Sequence, residues 1–137
     1  MEDCMKESVF QINGKPKINR FNFLLNPDYE LNNEISLEIN NDVQIMKGID
    51  ENSNQAFVLL KIEVFKNQPF EKVPFTIELE IEGHFMWTQE TDEETVEVLL
   101  RQNAPAILFS YTRPLITLIT VEANLPPLVL PLINFQE

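Results

Sequence analysis

Few residues in this sequence have side chains suited to chemistry. His84 is the only histidine and Cys4 the only cysteine. A metal site needs three or four ligands, and a cysteine nucleophile needs a base within reach. Cys4 lies in MEDCMKE, an acidic, polar stretch that reads as a loose terminus, and His84 falls at a strand end. Ser110 lacks the Gly-x-Ser-x-Gly turn that exposes a nucleophile, and three glycines in the whole chain cannot build a phosphate-cradling loop. No enzyme activity, metal or cofactor is expected. Glu78, Glu80 and Glu82 remain, spaced two apart. In a strand that spacing puts all three on one face. Carboxylates do acid–base work only where the surroundings raise their pKa, and a solvated row does not. The row reads as a solvated sheet face or as a docking strip for a basic partner.

Those glutamates sit in the clearest strand, Val73 to Phe85, with Phe75, Ile77, Leu79 and Ile81 on its other face. Ala56 to Phe65 is apolar on both faces, as a central strand is. Glu34 to Ile45 alternates, with Ile35, Leu37, Ile39, Val43 and Ile45 on one side. Ser8 to Phe23 reads as a strand interrupted at Gly14-Lys15-Pro16, so an edge strand or one in two parts. Thr91 and Glu94 have capping-box spacing before a helix from about Asp92 to Gln102, with Val96, Leu99 and Leu100 inward. Asn103 and Pro105 then suit the start of a second helix, and Pro114 predicts a kink or restart near Ser110 to Arg113. Strands followed by helices predict an α+β fold: a four-stranded antiparallel sheet with helices on one face, in one domain spanning 1–137.

That second helix is apolar nearly all round, at Leu115, Ile116, Leu118, Ile119 and Val121, so more than one surface must cover it. After Asn124, the prolines 126, 127 and 131 hold an extended strap whose Leu128, Val129, Leu130, Leu132, Ile133 and Phe135 are apolar on both sides. Hydrophobic residues make up 44% of the sequence, which argues against disorder. The net charge of −12 repels nucleic acid and anionic membranes and favours basic partners, although the charge also serves solubility. No unbroken apolar run reaches the roughly 20 residues that span a bilayer. The N-terminus has no signal-peptide pattern, so a cytoplasmic protein is expected, with no membrane insertion.

The apolar helix with a Tyr-x-Arg step (Tyr111, Arg113), the proline-containing strap and a closing Ile133-Asn134-Phe135 resemble the C-terminal half of the SecB family of export chaperones. Phe10-Gln11-Ile12 and the strand ending Gly83-His84-Phe85 fall where that family has similar segments. The resemblance implies a SecB-like fold, a homo-oligomer (tetramer or dimer), and an ATP-independent holdase for unfolded polypeptides or preproteins in protein export. It also implies docking of the translocation motor SecA on the acidic sheet face. Glu78 matches a family acidic position and Glu80 and Glu82 extend the row, whereas Arg20 and Leu24 stand near positions where the family carries acids. The sequence stops two residues after Phe135, where the family continues into a second long helix and a SecA-contacting tail; a shorter member is expected to form a dimer or looser assembly with fewer clients.

The expected client-binding set is Phe57, Phe65, Phe109, Tyr111, Leu118, Leu128 and Leu130. The expected oligomer seam joins Ile77, Leu79 and Ile81 to Leu115 and Ile119. Two other readings stand beside the general holdase. One is a dedicated chaperone or adaptor for a single client such as an antitoxin. The other is a small ligand-binding domain.

Overall fold

In the computed structural model, which describes residues 10–30, 35–48 and 53–135, the sheet is built outward from one long strand. The strands are β1 (Phe10–Ile12), β2 (Lys17–Leu25), β3 (Ile39–Lys47), β4 (Gln55–Val64) and β5 (Phe75–Trp87), all paired antiparallel. β3, β4 and β5 form a meander, and β1 and β2 both return to the free side of β5, a Greek-key order. The sheet is therefore five-stranded, not four, because the first strand is in two pieces. Gly14 takes a left-handed φ of 78° and Pro16 cannot donate to a ladder, so pairing stops at Ile12 and resumes at Lys17. Glu34 lies outside the described residues, and β3 starts at Ile39, after Ile35 and Leu37.

Alternation decides which face is core. Val58, Leu60, Ile62 and Val64 of β4 and Phe75, Ile77, Leu79, Ile81 and Phe85 of β5 are buried together. A helical rod covers them: α1 (Glu93–Val98), a π turn (Leu99–Asn103) and α2 (Ala104–Glu122). Gly83 permits the close approach, since a Cβ there would lie 2.8 Å from Leu108 Cδ2. The buried positions of the rod recur every four residues: Val96, Leu100, Ala104, Leu108, Thr112, Ile116 and Thr120. In a regular α-helix that spacing drifts around the axis, by about 40° per step. The wide π turn, in which the Ala104 N–H donates to Leu99 O, takes up part of the drift.

The rod departs from the sequence reading at three points. Its cap is Asp92, which accepts from the Thr95 N–H at 2.7 Å, while Thr91 hydrogen-bonds the Thr88 hydroxyl. Asn103 has helical dihedrals and no capping bond, because the π turn carries the ladder straight into α2. Pro114 does not restart the helix, which continues to Glu122; its ring is on the exposed side, clear of the sheet. Although no unbroken apolar run is that long, the rod from Glu93 to Glu122 is long and apolar enough to cross a membrane by length and composition, and here it lies on the sheet.

The rod ends in a Schellman motif. Asn124 is left-handed (φ 61°), the Leu125 N–H donates to Thr120 O, and the Asn124 N–H to Val121 O. The strap then runs back along α2, held by three bonds to its side chains. Thr120 Oγ1 accepts from the Leu128 N–H at 3.0 Å, Thr117 Oγ1 donates to Leu128 O at 2.6 Å, and Arg113 Nε donates to Leu130 O at 2.9 Å.

Candidate functional site

The rod packs over β4 and β5 and leaves β3 only partly covered. Val43 and Ile45 point to the core side yet stay half-exposed. Between them and the rod lies a groove of about 430 Å³. Val98 and Phe135 complete its apolar lining, and Asn41, Arg101, Gln102 and Asn134 line it with polar groups. Phe135 is seated edge-on against Phe109, with ring centroids 6.0 Å apart. Glu97 stands at the rim, paired with Lys47 and with Arg101. The Lys47 hydrogen bond, outweighing partial burial and aided by Arg101, holds the Glu97 carboxyl below its usual pKa. The groove is partly open to solvent and the carboxylate at its rim is held below, not raised above, its usual pKa, so it suits apolar contact rather than proton transfer.

A second apolar surface follows the outward side of α2. Tyr111, Leu118 and Val121 are exposed along one stripe, with Pro114 between them and Leu115 half-buried beside it. The strap adds Val129 (64% exposed) and Leu132 (81%).

The residues expected to hold a client do not converge. Tyr111 and Leu118 are on the outward stripe, and Leu128 is half-buried in the strap. Phe65, Phe109 and Leu130 are core side chains, which corrects their reading as client contacts. Phe65 turns inward at a left-handed φ of 60° at the end of β4 and packs edge-on against Phe75. Phe57 is on the opposite face of the sheet, stacked on His84 at 4.6 Å, with Met46 and Met86 exposed nearby. His84 Nε2 lies 2.6 Å from Gln55 Oε1 and Nδ1 3.1 Å from Asn13 Nδ2, so the histidine is tied into the sheet surface. Among the described residues no group of three or more His, Cys, Asp or Glu could hold a metal; Cys4 lies outside them.

The expected seam is also corrected in part. Ile77, Leu79 and Ile81 lie beneath the rod with at most 1% of their surface exposed, because the even positions of β5, not the odd ones, face outward. Leu115 and Ile119 are half-buried.

The acidic row does lie on the outer face, but cations flank it. Cross-strand register sets Glu82 beside Lys17, and Glu80 between Arg20 and Lys61. Glu78 pairs with Arg20 at 3.1 Å and with Lys61 at 3.5 Å. Burial pushes the Glu78 carboxyl up, yet the Asn22 amide and the charges of Arg20, Lys66 and Lys61 together hold it below the usual value. Glu82 accepts from Asn19 Nδ2 at 2.8 Å. The row is a laddered face rather than a bare anionic strip.

Sequence reasoning missed Val98, Phe135 and the groove between them. Val98 was legible as the apolar residue of α1 that falls off its inward face, next to Glu97 on the same side. The sequence places Phe135 in a two-sided apolar strap and in the closing Ile-Asn-Phe, but an extended segment held by side chains has no period to say which side is covered.

Residues 26–137 match the profile of the family described as preprotein translocase subunit SecB. An uncharacterised protein of Methanocaldococcus jannaschii is 34% identical over 117 residues, covering 85% of this chain and 74% of that one. The protein-export protein SecB of Neorickettsia sennetsu is 30% identical over 139 residues, covering 97% of this chain and 78% of its own length. Among solved structures, a SecB-like chaperone of Mycobacterium tuberculosis, in complex with a peptide from the HigA1 antitoxin, superposes with a TM-score of 0.69 at 15% identity, over 91% of this chain and 88% of that one. The overall superposition agrees with the sequence matches, and the chain belongs to the SecB family.

Proposed function

We propose that the protein is a chaperone of the holdase type, which needs no ATP and binds unfolded or non-native polypeptides through apolar contact. The observation that carries this reading is the groove of Val43, Ile45, Val98 and Phe135, left open beside a complete core in a member of a chaperone family. Burial there contributes roughly 25 cal/mol per Å² gross, less the cost of ordering the client. The net charge of −12 favours basic clients. The outward stripe of Tyr111, Leu118 and Val121 would be covered by further copies of the chain, in a cytoplasmic homo-oligomer. The test is light scattering of a chemically unfolded reporter protein diluted into buffer. The protein, without nucleotide, should suppress aggregation at near-stoichiometric ratio, and Val98→Asp should abolish the effect. Aggregation that proceeds unchanged with the intact protein refutes the reading.

A second reading, a dedicated chaperone for one client such as an antitoxin, is favoured by the outer face. Arg20 and Lys61 neutralise Glu78 there, which weakens the case for SecA docking. The mycobacterial protein of similar fold was solved with an antitoxin peptide. Suppression of aggregation for several unrelated reporters would decide for the general holdase, and suppression of none but a partner antitoxin for the dedicated one.

A further inference from the structure

Asn-Gly occurs once in the sequence, at Asn13-Gly14, and it falls on the break between β1 and β2. The Asn13 N–H donates to His84 O at 2.7 Å, and pairing with β5 resumes only at Lys17. Both residues are exposed. Gly14 is left-handed (φ 78°), and beyond its chain neighbours no atom lies within 4 Å of where a Cβ would be. An asparagine side chain is attacked by the backbone nitrogen that follows it. Glycine there makes the attack easy, since no side chain obstructs the approach and the backbone can turn.

The Asn13 amide also has a partner that registers its loss. Its Nδ2 lies 3.1 Å from His84 Nδ1, and His84 Nε2 lies 2.6 Å from Gln55 Oε1. An amide nitrogen only donates and an amide oxygen only accepts, so Nδ1 is bare and Nε2 carries the proton. The ring is thereby neutral, and it stacks on Phe57 at 4.6 Å.

We propose that Asn13 is a site of self-modification, converting to aspartate and isoaspartate through a cyclic imide with Gly14, and that the new carboxylate charges His84. In the first step the Gly14 nitrogen bonds to Asn13 Cγ, the Cγ–Nδ2 bond breaks, and ammonia leaves with the Gly14 amide proton. In the second, water adds its hydroxyl to one imide carbonyl carbon, the carbon–nitrogen bond there breaks, and the nitrogen regains a proton. Opening at Cγ leaves aspartate; opening at the main-chain carbon leaves isoaspartate, whose backbone runs through the side chain. Water is the only reagent consumed, and the acid formed then ionises.

A carboxylate cannot donate to Nδ1. Its bond to the ring needs a proton on Nδ1, and with Nε2–H still held by Gln55 the ring becomes an imidazolium. The charged groups around it are Glu82 on β5, Lys17 opposite Glu82 on β2, and Lys15 in the break. Gln55, Phe57 and Leu59 of β4 and Gln11 of β1 are neutral. A corner of the outer face where Met46, Phe57 and Met86 are exposed thus gains an ion pair, with its cation on the Phe57 ring.

The test is peptide mass spectrometry of the full chain after storage in warm, mildly alkaline buffer. Asn13 should convert about tenfold or more ahead of Asn19 and Asn22, which precede Arg20 and Phe23. Conversion no faster than theirs would overturn the site. Asn13→Asp supplies the aspartate product uniformly, at an exposed position. Nitrogen NMR of the imidazole at neutral pH should show a proton on Nδ1 in this variant and none in the fresh parent. The stored parent, once converted, should show the same new signal, which gives a second reading independent of the variant. Ring signals identical in fresh parent, stored parent and variant would overturn the coupling to His84.

Discussion

Arg113 Nε donates to the Leu130 carbonyl oxygen at 2.9 Å, joining the middle of α2 to the one strap residue that is wholly buried. Arg113→Met keeps most of the stem and removes the donor. Bonds to charged groups contribute about 1.5–3 kcal/mol, so the urea midpoint should fall accordingly. Hydrogen exchange should localise the loosening to the strap while β4 and β5 stay protected. An unaltered midpoint would mean that the bond adds nothing to the strap's hold.

Two leucines in that strap, two positions apart, should behave oppositely. Leu130 is fully buried and Leu132 is 81% exposed. Leu130→Ala should cost about 2–5 kcal/mol of stability, as core truncations do. Leu132→Ala should fall within about 0.5 kcal/mol of the parent. Denaturant titration of both variants checks the pair, and equal losses would contradict the strap's placement.

Leu118 is 56% exposed on the outward stripe of α2. Leu118→Asp should leave the fold of the single chain intact, since no core contact is lost. It should lower the assembled mass or weaken client capture, because a carboxylate would then be buried in an apolar contact. Native mass spectrometry with and without an unfolded client reads both. A variant of unchanged mass and unchanged capture would remove the stripe from the list of working surfaces.

Glu78 predicts an acid-sensitive outer face. Its carboxyl is held below the ordinary value of 4.5 by neighbours that outweigh burial. A carboxyl with a depressed folded pKa stabilises the native state above its unfolded pKa, and that contribution disappears as pH falls through the folded value. Stability should therefore decline below about pH 4.5. Glu78→Gln should flatten this acid limb and lower stability near neutrality, read by thermal unfolding across pH. An identical pH profile in the variant would show that the Arg20 and Lys61 pairs are energetically idle.

Much of the sheet was legible because period two is unambiguous in a one-sided strand. The odd positions of β5 are buried and the even ones outward, as alternation requires, and the Gly14-Lys15-Pro16 break does split the first strand. The rod was harder. Asn103 looks like a cap, and only the five-residue bond from Ala104 to Leu99, a backbone feature with no residue signature, makes one rod of two helices. The site was the least legible part. Phe57 and Phe65 share the odd parity of one apolar strand, yet Phe65, one residue past its end, turns inward at a positive φ that nothing in the sequence signals. Val43 and Ile45 carried the correct alternation, but their exposure follows from where the rod lies, which depends on side chains far away in the chain.

The place of β5 also bears on how the molecule comes into being. Phe10 pairs with Trp87 and Leu25 with Phe75, so the opening strand finds its partner only on β5. Of these five strands, the two earliest in the sequence cannot pair until β5 has followed them off the ribosome. Pairing between segments so distant in sequence carries a loop-closure cost and slows folding. Until Ile77 and Leu79 of β5 are synthesised, Phe23 and Phe21 have no strand to pair with, and a newborn copy of this protein is itself a greasy, unfinished polypeptide.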